Sequence, residues 1–135
     1  FHATPDDDDR YLLEDPATGY ARLRPADAVA EALQGVEERL MLCGHTHVPR
    51  VFALADGRVV VNAGSVGLPA YTDDTGGFHR HENGSPHARY ALIDLGADRI
   101  DAAIVSVQYD WNAASRRAAA NGRPDWAAWL ASGRA

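Results

Sequence analysis

Apolar and polar positions fall along this chain in short blocks, and the blocks read as an α/β domain. Leu40-Met41-Leu42-Cys43 is an apolar run closed by Gly44, the pattern of a buried strand. Val51–Leu54 and Arg58–Val61 predict two further strands, joined as a hairpin at Ala55-Asp56-Gly57. A second hairpin runs from Arg89–Asp94 through Gly96-Ala97-Asp98 to Ile100–Val107. Its Val105 and Val107 alternate with Ser106 and Gln108, as in a half-buried edge strand. Helical spacing appears three times. Ala26, Val29, Ala30 and Leu33 form a stripe behind Pro25, with Gly35 as the stop. Ala113–Ala120 predicts a helix with Asn112 as its N-cap and Asn121-Gly122 as its end. Pro124 opens a last helix through Leu130, on which Trp126, Trp129 and Leu130 share one face as packing residues.

Other stretches lack periodicity. Residues 6–24 read as an acidic loop with turn signals at Asp15-Pro16 and Thr18-Gly19. The Asp6–Asp9 run has no glycine and no further spaced oxygen ligands, so it reads as solvated rather than as a calcium loop. Residues 62–67 are a loop of small side chains. Residues 69–88 are long and polar, and predict a flexible surface loop. Its histidines, His79, His81 and His87, read as solvated in preference to a second metal site.

At 135 residues the chain is one domain's worth, and with no apolar run of about eighteen residues it predicts no membrane-spanning helix. The lone Cys43 excludes an internal disulfide and fits a reducing, cytoplasmic setting. The net charge of −6 is carried by residues 1–40, which hold ten acids against four bases. No basic stripe follows, which excludes an extensive nucleic-acid surface. An acidic chain still binds phosphates where cations reverse the local charge. The sequence opens on Phe1, without a signal-peptide pattern, and reads as a fragment of a longer chain.

The chemistry concentrates at Gly44-His45-Thr46-His47, directly after the predicted strand. Two histidines in an i, i+2 pair on a turn can point their imidazoles at two neighbouring ions, and imidazole suits manganese, iron, zinc, cobalt and nickel. Gly44 is expected to make the sharp turn. Asn62-Ala63-Gly64-Ser65 lies one hairpin later, at another strand end, and adjacent strand ends build loop-lined sites. Asn62 and Ser65 suit substrate or metal-bound water, and equally suit capping and turn roles. Cys43 reads as inert packing. Arg89 reads as a strand-edge partner for an aspartate.

Together these residues resemble a known family. Gly44-His45-Thr46-His47-Val48-Pro49, a hairpin, and Asn62-Ala63-Gly64-Ser65-Val66-Gly67-Leu68-Pro69 are similar to the closing block of bacterial calcineurin-like metallophosphoesterases. Ala88–Asp94 resembles the strand that follows it, and Phe1-His2-Ala3-Thr4-Pro5 the earlier His-Gly-Ser/Thr-Pro motif, with Ala3 for the usual glycine and Ala63 for the usual proline. The family's Asp-x-His, Gly-Asp and Gly-Asn-His motifs are absent from the sequence.

The resemblance implies an α/β fold, the C-terminal part (residues 1–135) of a two-sheet sandwich with a mixed sheet and flanking helices. It implies two divalent cations, manganese first and iron, zinc, nickel or cobalt as alternatives. His2 and His45 would share one and His47 would bind the other. The bridging aspartate and remaining ligands would come from an N-terminal half. The implied reaction is in-line hydrolysis of a small phosphodiester or phosphomonoester by a metal-bridged hydroxide, with this chain inactive alone. Its uncovered sheet face predicts a chain that folds poorly or associates, as a homo-oligomer among other forms, without its partner half. The alternative is a non-catalytic metal-binding or interaction module of the same fold.

Overall fold

The computed structural model describes residues 1–16 and 19–135. The turn expected at Thr18-Gly19 therefore falls partly outside the described residues. The elements follow in the order β1 (Glu14–Asp15), β2 (Arg22–Leu23), α1 (Ala26–Ala32), β3 (Leu40–Cys43), β4 (Arg50–Ala53), β5 (Val59–Asn62), β6 (Ala70–Asp73), β7 (His79–Glu82), β8 (Ala88–Leu95), β9 (Ile100–Val107), α2 (Trp111–Ala120) and α3 (Pro124–Ser132). The architecture is the expected α/β type, a mixed sheet with helices. No described helix is long and apolar enough to cross a membrane.

The central sheet has the order β3-β5-β4. β4 and β5 pair antiparallel through the predicted hairpin, and β5 pairs parallel with β3, Cys43 opposite Asn62. That register brings the two loop-bearing strand ends side by side. One face of the sheet holds the core. Met41, Leu54 and Val60 pack with Val29 and Leu33 of the α1 segment and with Leu12 and Leu13 from the acidic loop. The α1 stripe thus buries the face its spacing predicted. β3 is not buried throughout. Met41 is covered, but Leu42, on the opposite face of the pleat, is half exposed.

Residues 69–88 differ from expectation. They form an antiparallel hairpin, β6–β7, with Tyr71 opposite His81 and Asp73 opposite His79. His79-Arg80-His81-Glu82 alternates with period two, and both histidines are fully buried on the inner side. The solvated reading failed because histidine was counted as polar. A neutral imidazole between aromatic rings is largely apolar surface.

At the C-terminal end, α2 and α3 pack against each other and α3 lies on β6. The α2 cap is Asp110, whose Oδ1 accepts from Ala113 N at 2.8 Å, and not Asn112, which lies inside the first turn. Gly133 closes α3 in the left-handed region, φ 70°. A side chain there would collide with the Ser85 backbone, so glycine is what lets this helix end seat on the β7–β8 connection. A bond from Gly84 N to Gly133 O at 2.9 Å and one from Ala135 N to Glu82 Oε1 at 2.8 Å hold it.

Candidate metal centre

The histidine turn is strained and built to stay so. His45 and His47 both have positive φ, 61° and 58°, and among the described non-glycine residues no others do. Backbone of this kind costs roughly 1–3 kcal/mol per residue and persists only where surroundings enforce it. Thr46 N bonds back to Gly44 O at 2.7 Å, making a γ-turn of the rare positive-φ kind centred on His45. The turn was expected from Gly44, but Gly44 has ordinary φ and the unusual conformation falls on the two histidines.

Buried bonds enforce it. Asn62, at the end of β5, is fully buried, and its Nδ2 donates to Gly44 O at 2.7 Å and Thr46 Oγ1 at 3.1 Å. Its Oδ1 accepts from Gly64 N at 2.9 Å. One side chain thereby ties the two strand ends together. Asn83 Nδ2 donates to His47 O at 2.9 Å and fixes the far side of the turn. Beneath it lies the ion pair of Glu14 with Arg50. Burial raises the Glu14 carboxyl above its ordinary value, partly offset by bonds from Arg50 and Thr46.

The structure brings His2 beside His45. Gly44 N donates to His2 O at 2.8 Å, so residues 1–2 run along the end of β3. His2 Nε2 then lies 3.1 Å from His45 Nδ1. His45 Nε2 lies 3.3 Å from Asp9 O, a carbonyl that can only accept. His45 therefore carries its proton on Nε2, and its Nδ1 accepts from His2. His47 donates from Nδ1 to Leu68 O at 2.9 Å, which leaves the Nε2 lone pair free for a ligand. Burial also lowers the His47 pKa and favours that neutral form. Among the described residues, no three His, Cys, Asp or Glu side chains converge as a metal site.

Ser65 sits at the half-buried mouth of the loop, where its Oγ accepts from Gly67 N at 3.2 Å and Leu68 N at 3.0 Å. The bonds that Asn62 and Ser65 make are those of the capping and turn alternative. Arg89 departs from expectation. It is buried, pairs with no aspartate among the described residues, and donates to His87 O at 3.1 Å. Its chain presses on Gly64 so closely that a Cβ there would sit 3.3 Å from Arg89 Cδ and from Pro49 Cβ. Cys43 is half-buried, and desolvation pushes its thiol up to about 12, consistent with inert packing.

An aromatic wall behind the histidines escaped the sequence reading. Tyr11 contacts the rings of His45, His79 and His81, and Tyr71 stacks on His81 and meets His47 edge-on. The hydroxyls form a directed chain: Tyr71 to Tyr11 at 3.3 Å, Tyr11 to His79 Nε2 at 3.0 Å, and His79 Nδ1 to Gly77 O at 2.7 Å. Among the described residues His81 has no hydrogen-bond partner on either ring nitrogen, and desolvation lowers its pKa to about 4. The period-two alternation of residues 79–82 was the available signal for this wall. His87 lies apart, bonded to Ser85 Oγ and beside Trp111.

Two cavities bear on the site. The larger, about 500 Å³, is lined by Asp7, Asp9, Tyr11 and Arg24 among others, and by no histidine among the described residues. The second, about 400 Å³, opens on His45 and His47 and continues past Tyr71 to Trp126 and Trp129. The second is the one lined by the histidines that the sequence singled out, His45 and His47.

The mixed sheet with its helices has a metallophosphoesterase-like fold. The structure matches a metallophosphoesterase from Sphaerobacter thermophilus with a TM-score of 0.66 and 22% identity, over 98% of this chain and 53% of that one. The chain thus spans about half the length of that protein. It also matches wild-type Vps29 complexed with zinc from Entamoeba histolytica at a TM-score of 0.38 and 15% identity, over 67% of this chain and 51% of that one, and no inference follows from a likeness so slight. No protein-family model and no curated protein matches the sequence.

Proposed function

We propose that this chain contributes the histidine side of a dinuclear centre that hydrolyses small phosphate esters. The observation that carries the reading is the approach of His2 Nε2 to His45 Nδ1 at 3.1 Å, beside His47, on a turn held in costly backbone geometry. Two imidazole nitrogens so close together would suit two ligands of one cation. His2 and His45 hold one ion, and His47 offers Nε2 to the other. Manganese is the first candidate, with iron, zinc, nickel and cobalt as alternatives.

Bound divalent cations supply an activated hydroxide and neutralise charge on the phosphoryl oxygens. This chain's residues keep the ligands in place. The Leu68 carbonyl fixes the His47 tautomer, Asn62 locks the turn, and Ser65 at the loop mouth is the substrate-side group. Among the described residues no carboxylate joins the three histidines, so the bridging aspartate and remaining ligands are assigned to a segment outside this sequence. A second reading, a non-catalytic module binding one ion, is favoured by the lack of a three-ligand cluster among the described residues.

The test is hydrolysis of bis-p-nitrophenyl phosphate by the protein expressed with its upstream coding region. Manganese-dependent activity is expected, with loss in the His45→Ala, His47→Ala double mutant. Inactivity with all five metals, together with calorimetric binding of a single ion, would establish the second reading instead.

A further inference from the structure

The cavity that opens on His45 and His47 has a second end, and nothing assigned so far explains it. Leu68 and Tyr71 line it, together with Trp126 and Trp129 of α3. Trp126 keeps 39% of its surface exposed, although burying an indole is strongly favourable. The Arg123 guanidinium lies 4.2 Å above the Trp126 ring and is held flat by a two-bond pair with Asp125, at 3.0 and 2.7 Å. The helix that carries the tryptophans is anchored at Ser85 through Gly133 and by a bond from Ser115 Oγ to Ala127 O at 2.7 Å. A partly open indole with a guanidinium over one face, in the same cavity as the proposed phosphate-binding histidines, suits a planar ring attached to a phosphate.

We propose that Trp126, with Trp129 and Arg123, forms a leaving-group subsite that selects phosphate esters bearing a planar aromatic group, a nucleobase or a simple aryl ring. This rests on the phosphoesterase reading for the position of the phosphate. The phosphate occupies the His45–His47 end and the ring stacks at the α3 end. Stacking is tolerant of ring identity because every such ring offers a π-face. The subsite therefore sets a class of substrate and not one compound.

Phosphonates test this without turnover, because their P–C bond survives the centre. Calorimetry in manganese buffer compares methylphosphonate, phenylphosphonate and the methylenephosphonate analogue of adenosine 5′-monophosphate. The aromatic ligands are expected to bind roughly tenfold tighter than methylphosphonate, the gain of one stacked ring. Trp126→Ala should abolish that preference, and Trp126→Phe should keep most of it, which separates stacking from folding. A preference only for the adenosine analogue identifies a nucleobase, and an equal preference for phenylphosphonate identifies an aryl ring. Equal binding of all three ligands, or a preference that survives Trp126→Ala, overturns the proposal. Aromatic preference without hydrolysis under any metal would keep the subsite and remove the phosphoesterase reading; hydrolysis without preference would do the reverse.

Discussion

The sheet that carries the histidines and the β8–β9 hairpin are built from similar apolar residues but are held in opposite ways. In the β3-β5-β4 sheet, Val60 is 0% exposed and the α1 segment caps it with Leu33, also 0% exposed. In β8–β9, eight residue pairs run in continuous register from Ala88–Val107 to Leu95–Ile100, yet Tyr90 and Leu92, on one face of the pleat, are 43% and 58% exposed. The first region is stabilised by contacts between residues far apart in sequence. The second is held by its own ladder and leaves an apolar face open. Strained geometry such as that of His45 and His47 can be kept only in the first kind of region, where burial enforces it.

The widest gap between the two regions should appear on truncation of a leucine in each. Leu33→Ala removes a fully buried side chain from a packed core and is expected to cost about 2–5 kcal/mol, read by urea denaturation. Leu92→Ala removes an exposed one and is expected to stay within about 0.5 kcal/mol. Equal losses would mean that the β8–β9 face is covered in solution, and the contrast would fail.

Next in size is the tie between strand ends. Asn62→Ala leaves Gly44 O, Thr46 Oγ1 and Gly64 N without their partner in a buried place, at about 2–3 kcal/mol. Metal affinity should fall with stability, because the turn that sets the histidines is released. Full metal affinity in a destabilised Asn62→Ala protein would show that the turn holds its shape without the tie.

The inner hairpin supplies a pH-dependent term. His81 is 2% exposed and its pKa is lowered from 6.5 to about 4 by desolvation. The unfolded chain therefore binds this proton more readily than the folded one. The contribution is present above about pH 6.5 and is lost as pH falls towards 4. Between pH 7 and 5 the loss should be about 2 kcal/mol, and His81→Phe should flatten that part of the stability profile. An unchanged slope in the variant would assign the acid sensitivity elsewhere.

Much of this was legible in the sequence where local signals are strong. Pro25 with Gly35 bracketed α1, Ala55-Asp56-Gly57 marked the β4–β5 turn, and the apolar run at Leu40 marked β3. The pairing of His2 with His45 across the sequence came through motif resemblance, since no local pattern carries a contact between residues so distant. What stayed hidden was set by tertiary surroundings. His79 and His81 are polar by type and apolar by environment. The exposure of Trp126, 39% of its surface, is likewise something that spacing does not show. Positive φ at His45 and His47 leaves no trace in residue type.

The smallest effect concerns a local device at the end of the open region, and it tests how local that region is. Sequence pattern favours Asn112 as the cap of α2, since asparagine is a strong capping residue and precedes an alanine-rich run. The structure uses Asp110, one residue before the helix, with Oδ1 on Ala113 N at 2.8 Å. An aspartate has a second advantage there, because its charge faces the positive end of the helix dipole. Asp110→Ala should therefore cost about 1 kcal/mol and Asn112→Ala no more than a few tenths, read as shifts in the thermal midpoint. The two substitutions remove comparable polar groups two residues apart, so propensity alone predicts similar losses or a larger one at Asn112. A larger loss at Asp110 means that the chain leaving β9 sets the start of the helix: the β8–β9 ladder fixes where the backbone turns, and the cap falls on whichever residue arrives there.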